Sequence, residues 1–390
     1  MPSPTATSLP ILYALGSNSS RQLGIGHTND VNTPEKCIFQ PDERNVRPGA
    51  DSEAVNGGKI VETLKKVVAS GNHTLVLTDL GRLFLAGNNQ KNERGEEVEA
   101  YAVFKEITHD IMHGPRLSKQ PGKVITDVAA TWDAFCVVMD GQFLHRYTTS
   151  PAHGLLGKYF VFQGLYCWGD KKIITIEASM GHVLMTLSND EVHGWGACRK
   201  GQLSERYKVQ KNLNSPNMLD LRSEDSTLSF APEKIVLGRE YTVFLKTGEK
   251  PVVWGEKKMF KKNDFDWRLG HDDTAVSGWS SVHVLWRKSS LGSVASIGKN
   301  NHGQFAPTGL PPVRKLAAGS EHCVALTAEG QVIAWGWGEH GNCGEKIDEK
   351  GNVRERWNVI SMPQLEEGVV VKDVAAGCAT TFVICGREED

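Results

Sequence analysis

The sequence lacks any apolar run close to the roughly 20 residues that a membrane-spanning helix needs. Its first ten residues, MPSPTATSLP, also lack the basic start and the apolar stretch of a secretory signal peptide. The eight cysteines form no C-x-x-C pair, so we predict neither a zinc site nor a redox pair on this chain. We therefore expect a cytoplasmic protein that also enters the nucleus, with a disordered leader over residues 1–10.

An excess of charge of either sign is also missing. The chain has 44 basic and 46 acidic residues, for a formal net charge of -2, and the leader contains no Lys or Arg. Direct DNA binding relies on a basic surface that neutralises phosphates. We therefore expect neither direct DNA binding nor attachment to an acidic membrane.

Glycine is abundant, with 40 residues, and much of it recurs in register with a longer repeat. Stretches Lys65–Gly95 and Val313–Gly344 share one pattern. Each has an apolar strand, a turn of small residues ending in histidine, a second strand ending in Leu-Thr, and a third strand ending in glycine. Self-similarity of this length indicates an array of β-units that bury a common core by stacking.

Further copies complete a ring. Four more units keep the strand–turn–strand core: Asp127–Tyr147, Lys172–Ser204, Lys234–Glu256 and Trp279–Ala306. Segment Val371–Cys385 contains only the first half of a unit and Ile11–Gly26 only the second half, so the two termini together supply a seventh. Closure of this kind removes free sheet edges. The pattern predicts an all-β, seven-bladed β-propeller that forms one domain over residues 11–385, followed by a polar tail over 386–390.

One glycine-rich stretch imitates a nucleotide site. Residues Gly336–Gly341 fit the dinucleotide fingerprint G-x-G-x-x-G letter for letter. A working fingerprint follows a strand and opens a helix, but no helical apolar spacing follows Gly341. A glycine also recurs five positions after Gly196 and Gly298. We interpret these residues as glycines needed for positive φ or close backbone approach, and we predict no bound cofactor.

The repeat text resembles a known family. The segment AAGSEHCVALTAEGQVIAWG (317–336) resembles the RCC1 (regulator of chromosome condensation) repeat. Segments YALGSNSSRQLGIGH, WSSVHVLW, GWGEHGNCG and GCATTFV are also similar to a fungal group of RCC1-like proteins, the alpha-tubulin suppressors and killer-toxin-insensitivity factors.

That second resemblance implies a function. It implies a non-catalytic subunit that forms a heterodimer with a small zinc-binding, electron-carrier-like protein of diphthamide synthesis. The pair would support diphthamide formation on elongation factor 2 and Elongator-dependent modification of wobble uridines in tRNA, with Elongator as a further contact. The resemblance places zinc or iron on the partner and none on this chain.

Tryptophans outside the repeat register are candidate interface anchors, because a few buried aromatic residues dominate the binding energy of many interfaces. We expect two partner-binding patches, one of Trp279, His283 and Trp286 and one of Trp337, Glu339, His340 and Asn342. Tryptophans at the repeated strand-end position are predicted core residues: Trp168, Trp195, Trp254 and Trp335. The histidines that follow the small-residue turns are predicted to be buried and structural: His73, His182 and His322.

Two other functions stay open at this point. An RCC1-type guanine nucleotide exchange factor for a small GTPase would need a polar insertion that reaches the nucleotide site. An enzyme active site in the central channel would need polar side chains that converge from several blades. The repeat positions facing the channel look apolar or small, so we do not expect an enzyme.

Overall fold

The computed structural model describes residues 9–45, 62–87, 101–113, 124–148, 161–221, 228–261, 263–287 and 292–388. These residues form seven β-sheets of three to five strands, which are the blades of a propeller. The predicted all-β, seven-bladed architecture is confirmed. Residues 1–8 of the predicted leader and 389–390 of the predicted tail lie outside the described ranges. No helix in the described part of the chain is long and apolar enough to cross a membrane.

The first half of the chain contributes two strands to the last blade and then builds blades 1 to 3. Strands β1 (Ile11–Gly16) and β2 (Val31–Lys36) come first. Blade 1 contains β3 (Phe39–Gln40), β4 (Leu64–Ala69), β5 (His73–Thr78), β6 (Leu83–Gly87) and β7 (Tyr101–Glu106). The helix α1 (Thr108–Met112) follows. Blade 2 contains β8 (Ile125–Ala130), β9 (Ala134–Met139), β10 (Phe143–Thr148) and β11 (Val161–Cys167). Blade 3 contains β12 (Ile173–Ala178), β13 (His182–Leu187), β14 (Val192–Ala197) and β15 (Asn212–Met218).

The second half builds blades 4 to 7. Blade 4 contains β16 (Lys234–Leu237), β17 (Tyr241–Leu245) and β18 (Val252–Gly255). Blade 5 contains β19 (Thr274–Ser277), β20 (Ser281–Trp286) and β21 (Ser293–Gly298). Blade 6 contains β22 (Val313–Ala318), β23 (His322–Thr327), β24 (Val332–Trp337) and β25 (Asn352–Val359). Blade 7 joins β26 (Val369–Ala376) and β27 (Thr380–Arg387) to β1 and β2.

The two termini close the ring in blade 7. Strand β1 pairs antiparallel with β27, from Ile11 opposite Cys385 to Gly16 opposite Thr380. The closure predicted from the two half-units is therefore confirmed. Strand β27 runs to Arg387, past the domain limit predicted at residue 385.

The first strand of each blade faces a central channel. These inner strands stand side by side in a closed ring, in the order β4, β8, β12, β16, β19, β22 and β26. Each inner strand ends in a short turn to the second strand, as at Gly319–Glu321 in blade 6. We call this end of the propeller the turn face. The other end, where the second strand turns into the third as at Ala328–Gln331, is the opposite face.

The glycine that closes the third strand is a packing requirement. Gly336 has a φ of 102° and pairs with His322. A Cβ at Gly336 would lie 2.6 Å from the carbonyl oxygen of Glu321. The same close approach occurs at Gly196 and Gly298. The element after Gly341 is strand β25, so this stretch has no helix N-terminus to hold a pyrophosphate.

The core lies between the blades, and it holds most of the predicted tryptophans. Trp335, Trp195 and Trp254 are buried, and Trp335 Nε1 donates to the carbonyl oxygen of Gln304 at 3.0 Å. These three predictions are confirmed. Trp168 is only half-buried and packs edge-on against His193.

Candidate partner-binding site at the channel mouth

Buried histidines lock neighbouring blades together on the turn face. His182 Nε2 lies 3.2 Å from Thr242 Oγ1 of blade 4, and His322 Nε2 lies 3.0 Å from Thr381 Oγ1 of blade 7. Burial lowers the pKa of His182 to about 3 and that of His322 to about 4, so both rings are neutral near pH 7. His73 is also fully buried, and its pKa falls to about 4. The predicted structural role of the three histidines is confirmed.

Seven equivalent residues surround the channel on this face. Each stands two positions before the first residue of its blade's second strand: Gly71, Trp132, Met180, Arg239, Trp279, Ser320 and Cys378. We call them the mouth ring. All except Arg239 line a cavity of about 370 Å³ that continues into the channel.

Backbone hydrogen bonds connect the mouth ring from blade to blade. The amide of Arg239 donates to the Trp279 carbonyl oxygen at 3.0 Å, and the Trp279 amide donates to that of Ser320 at 2.7 Å. The Ser320 amide donates in turn to Gly377 at 3.1 Å. These bonds join separate sheets, so contacts between blades fix the backbone from which the side chains of the mouth ring extend.

Two indole rings meet across the mouth. Trp132 belongs to blade 2 and Trp279 to blade 5, yet their ring centroids are 6.1 Å apart. Trp132 also packs over Gly71, where a Cβ would come within 2.7 Å of the indole. The guanidinium of Arg239 lies over the other indole, 5.6 Å from the centroid of Trp279. Both tryptophans are half-buried and Arg239 is exposed, so the mouth presents an aromatic surface with a cation at its edge.

Charged side chains converge inside the channel. Lys66 Nζ lies 2.9 Å from Asp127 Oδ1 and 3.9 Å from Glu177 Oε1. Burial away from water raises the pKa of Glu177 and lowers the pKa of Lys234. The attraction between these two groups opposes both shifts. The expectation that channel positions are apolar or small was therefore wrong. Two cations and two carboxyl groups from four blades make the interior polar and close to charge balance.

The first predicted patch does not exist as one surface. Trp279 is at the turn face, whereas Trp286 ends strand β20 near the opposite face and packs edge-on against Trp267. His283 lies between them and is 1% exposed, with Ser281 Oγ and Ser296 Oγ 2.9 Å and 2.8 Å from its ring nitrogens. Burial lowers the pKa of His283 to about 3. Strand β20 is buried along all but its last residue, so His283 is enclosed between Trp279 and Trp286 and the three residues do not form one exposed surface.

The second predicted patch is largely on the surface. Trp337 Nε1 donates to Glu339 Oε2 at 3.1 Å, and the Trp337 ring meets His340 edge-on at 5.3 Å. His340 Nδ1 lies 2.7 Å from Asp30 Oδ2 of blade 7. Asn342 is completely buried, and its Nδ2 donates to the Trp337 carbonyl oxygen at 2.7 Å. Asn342 therefore positions the patch from below and does not contact a partner.

Trp279 of the first predicted patch and Trp337 of the second are both bonded to the turn between the first two strands of blade 6. The Trp279 amide bonds to Ser320, and the Trp337 amide bonds to the next residue, Glu321, at 2.9 Å. Glu321 also accepts a hydrogen bond from Ser280 Oγ at 2.6 Å, and burial raises the pKa of its carboxyl group. Trp279 and Trp337 are thus anchored to the same turn, Gly319–Glu321. We call the mouth ring together with Trp337, Glu339 and His340 the turn-face surface.

Comparisons with known proteins agree with this architecture. The Regulator of chromosome condensation (RCC1) repeat model matches residues 313–342. The crystal structure of Prp20p from Saccharomyces cerevisiae is 18% identical, with a TM-score of 0.67 over 98% of this chain and 93% of that one. This chain therefore has a seven-bladed propeller fold similar to that of Prp20p, and its segment 313–342 matches the RCC1 repeat.

Two curated relatives match the RCC1-like propeller over most of their length. An RCC1 repeat-containing protein of Schizosaccharomyces pombe is 27% identical over 96% of this chain and 98% of its own. The mouse secretion-regulating guanine nucleotide exchange factor is 25% identical over 98% of this chain and 85% of its own.

Sequence reasoning missed six of the seven mouth-ring residues, and among them Trp132 and Arg239 contribute the second indole and the cation. A signal for both was available, because each stands at the same offset from the second strand as Trp279. The residue at that offset lines the channel cavity in six blades, and in blade 4 it is the exposed Arg239 stacked on Trp279. Aligning the turns on the first residue of the second strand would have selected them.

One group of residues has donor atoms close enough to hold a metal ion. Atoms of Asp42, His109 and Asp110 lie within 4.8 Å of one another. Arg44 already bridges the two carboxylates, and its Nη2 is 2.9 Å from Asp110 Oδ1. The guanidinium supplies the positive charge that a cation would bring, so we assign these residues a structural ion-pair role.

Proposed function

We propose that the RCC1-like propeller is a non-catalytic protein-binding subunit that regulates a small GTPase through its turn-face surface. The observation that carries the proposal is the aromatic mouth formed by Trp132 and Trp279, with Arg239 stacked on it and Trp337 beside it. Tryptophan and arginine dominate the binding energy of many protein interfaces. Relatives named as guanine nucleotide exchange factors support the choice of partner.

The test is nucleotide release. Small GTPases from the same cells are loaded with fluorescent GDP and mixed with the purified propeller. We expect the propeller to accelerate GDP release from one of these GTPases. In the Trp337→Ala variant this acceleration should be weaker by about tenfold or more. The Trp286→Ala variant, changed near the opposite face, is the matched control and should retain the activity. No binding to any GTPase would contradict the choice of partner.

A second candidate is a heterodimer with a small zinc-binding protein of diphthamide synthesis, which would link the chain to Elongator-dependent tRNA modification. One specific observation favours it. Three of the four segments that resemble the fungal group, 279–286, 336–344 and 377–383, begin on the turn face in blades 5 to 7. Under this proposal the partner carries the zinc or iron.

Affinity purification from the native cells separates the two candidates. Recovery of a small GTPase supports the first candidate, and recovery of an equimolar zinc protein without a GTPase replaces it with the second. Both candidates use the turn-face surface, so Trp337→Ala should weaken recovery in either case. If the Trp337→Ala variant recovers the partner fully, Trp337 is not part of the interface.

A further inference from the structure

We propose that the turn-face surface binds an acidic segment of its partner, in which a carboxylate pairs with Arg239 while an adjacent apolar side chain packs on Trp132 and Trp279. The inference rests on the proposed protein-binding function and specifies the chemistry of the partner. It depends on the unsatisfied charge of Arg239, on the charges around it, and on the aromatic surface beside it.

Arg239 is a cation held in place without an acidic partner. Its side chain is exposed and stacks on Trp279, and its backbone amide is fixed to the Trp279 carbonyl oxygen. Within the described ranges, no carboxylate lies within 4 Å of its guanidinium. A stacked guanidinium has already lost much of its freedom and can bind a carboxylate through two parallel hydrogen bonds.

The nearest acidic groups are engaged elsewhere. Glu240, the next residue in the chain, faces Arg199 at 3.6 Å and Lys200 at 3.9 Å. Glu321 is largely enclosed beneath the surface and accepts from Ser280 Oγ and Gln304 Nε2, both at 2.6 Å. Neither carboxylate is positioned to satisfy Arg239.

A second exposed cation, Lys299, lies on the turn face. Lys299 is exposed, and its amide donates to the Ser280 carbonyl oxygen at 2.9 Å. In the part of the chain that the structure describes, no carboxylate lies within 4 Å of its ammonium group. Its charge acts on the largely enclosed carboxyl group of Glu321, where it opposes the rise in pKa caused by burial. Arg239 is therefore the cation beside the indoles that no carboxylate satisfies. The matching ligand carries negative charge together with an apolar side chain one or two residues away.

Short fluorescent peptides test this chemistry directly. The probe is Gly-Asp-Trp-Asp-Phe-Gly amide, compared with its Asn-for-Asp version and with a version that carries phosphoserine in place of each Asp. We expect the Asp peptide to bind at least about tenfold more tightly than the Asn peptide, with an advantage that shrinks as salt rises. Equal binding of the Asp and Asn peptides, or tightest binding of the phosphopeptide, would overturn the assignment of a carboxylate.

Variants assign the effect to Arg239. We expect Arg239→Ala to weaken binding of the Asp peptide about tenfold and Arg239→Lys to restore it only partly, because a lysine cannot bind a carboxylate bidentately. Arg268→Ala is the matched control. Arg268 is exposed and adjoins Leu269, whose carbonyl oxygen accepts from Gly248 near the opposite face. Wild-type affinity in Arg239→Ala would refute the proposal. Unfolding in urea should be the same for the three variants and the wild type, since both side chains are exposed.

Partner recovery from cells distinguishes this inference from the proposed function. If Trp337→Ala loses the partner while Arg239→Ala retains it fully, the acidic-segment inference is overturned and the protein-binding function stands. If neither a GTPase nor a zinc protein binds the wild type, but the Asp peptide still binds through Arg239, the proposed function fails and the inference stands.

Discussion

Replacing Gly336 with alanine tests whether the repeated glycine is required for packing. The structure separates two costs at this position. A φ of 102° lies in the region that L-residues avoid. The new Cβ would also lie 2.6 Å from the Glu321 carbonyl oxygen and 2.7 Å from the His322 Cα. Both are backbone atoms, so neither contact can be relieved by rotating a side chain.

Gly330 provides a matched control. It has a φ of 86°, but a Cβ there would meet nothing within 4 Å. Gly330→Ala should therefore cost only the conformational penalty, about 1–2 kcal/mol. Gly336→Ala adds the clash, which we expect to contribute a further 1–3 kcal/mol or so, as overpacking does in other cores.

Equilibrium unfolding in urea is the suitable assay, because 1 kcal/mol moves the Tm of a chain of 390 residues by only about 1 °C. Tryptophan fluorescence would report the free energy of unfolding for the wild type and both variants. Equal losses in the two variants would refute the packing explanation. If millimolar NAD or ADP stabilises the wild type but not Gly336→Ala, the residues Gly336–Gly341 bind a nucleotide after all.

Three further predictions concern stability and are measured by the same urea titration. Trp335→Ala should lower the free energy of unfolding by about 3–5 kcal/mol, because the indole is fully buried and its N–H donates to the Gln304 carbonyl oxygen. A decrease below about 1 kcal/mol would contradict its place in the core. Arg82→Met should lower the free energy of unfolding by about 3–5 kcal/mol. The carboxylates of Glu62 and Glu106 are completely buried, and the substitution removes the guanidinium that lies 2.7 Å and 2.6 Å from them. Wild-type stability of the variant would show that these carboxyl groups need no cation. The free energy of unfolding should also fall as the pH drops from about 6.5 towards 4, by about 1.4 kcal/mol per pH unit for each of the buried residues His73, His182, His283 and His322. The reason is that the unfolded chain binds protons there that the native state excludes. Equal stability at pH 7 and pH 5 would contradict their neutral burial.

The repeat register accounts for how much of the fold was predictable. Units with one strand–turn–strand pattern, and two half-units at the termini, require a closed ring because each sheet buries its faces against its neighbours. Gly336 and His322 are in register with their counterparts in other blades, so their structural roles could be inferred without coordinates. The outer strands and the long insertions do not follow the register as closely, and the sequence did not place them.

The candidate site was predicted only in part, because the repeat pattern does not say where a side chain points. His283 and Asn342 were chosen for their neighbours in sequence, but both are buried. Asn342 occupies the place that Gln202 and Gln304 hold in other blades, where the side chain supports the turn from inside. His283 lies in the middle strand of its blade, where residues on both faces are buried.

The sequence by itself determined the number of blades, the closure by both termini, and the structural roles of two recurring residues. These are the glycine that ends the third strand in several blades and the histidine that opens the second strand in three of them. These features are local or repeat along the chain, so each copy carries the evidence for the others. Only the tertiary structure decided that Trp132 and Trp279 meet across the channel, that Arg239 stacks on Trp279, and that Trp279 and Trp337 are bonded to neighbouring residues of one turn. These residues come from different blades far apart in the sequence, and only ring closure brings them together on one face.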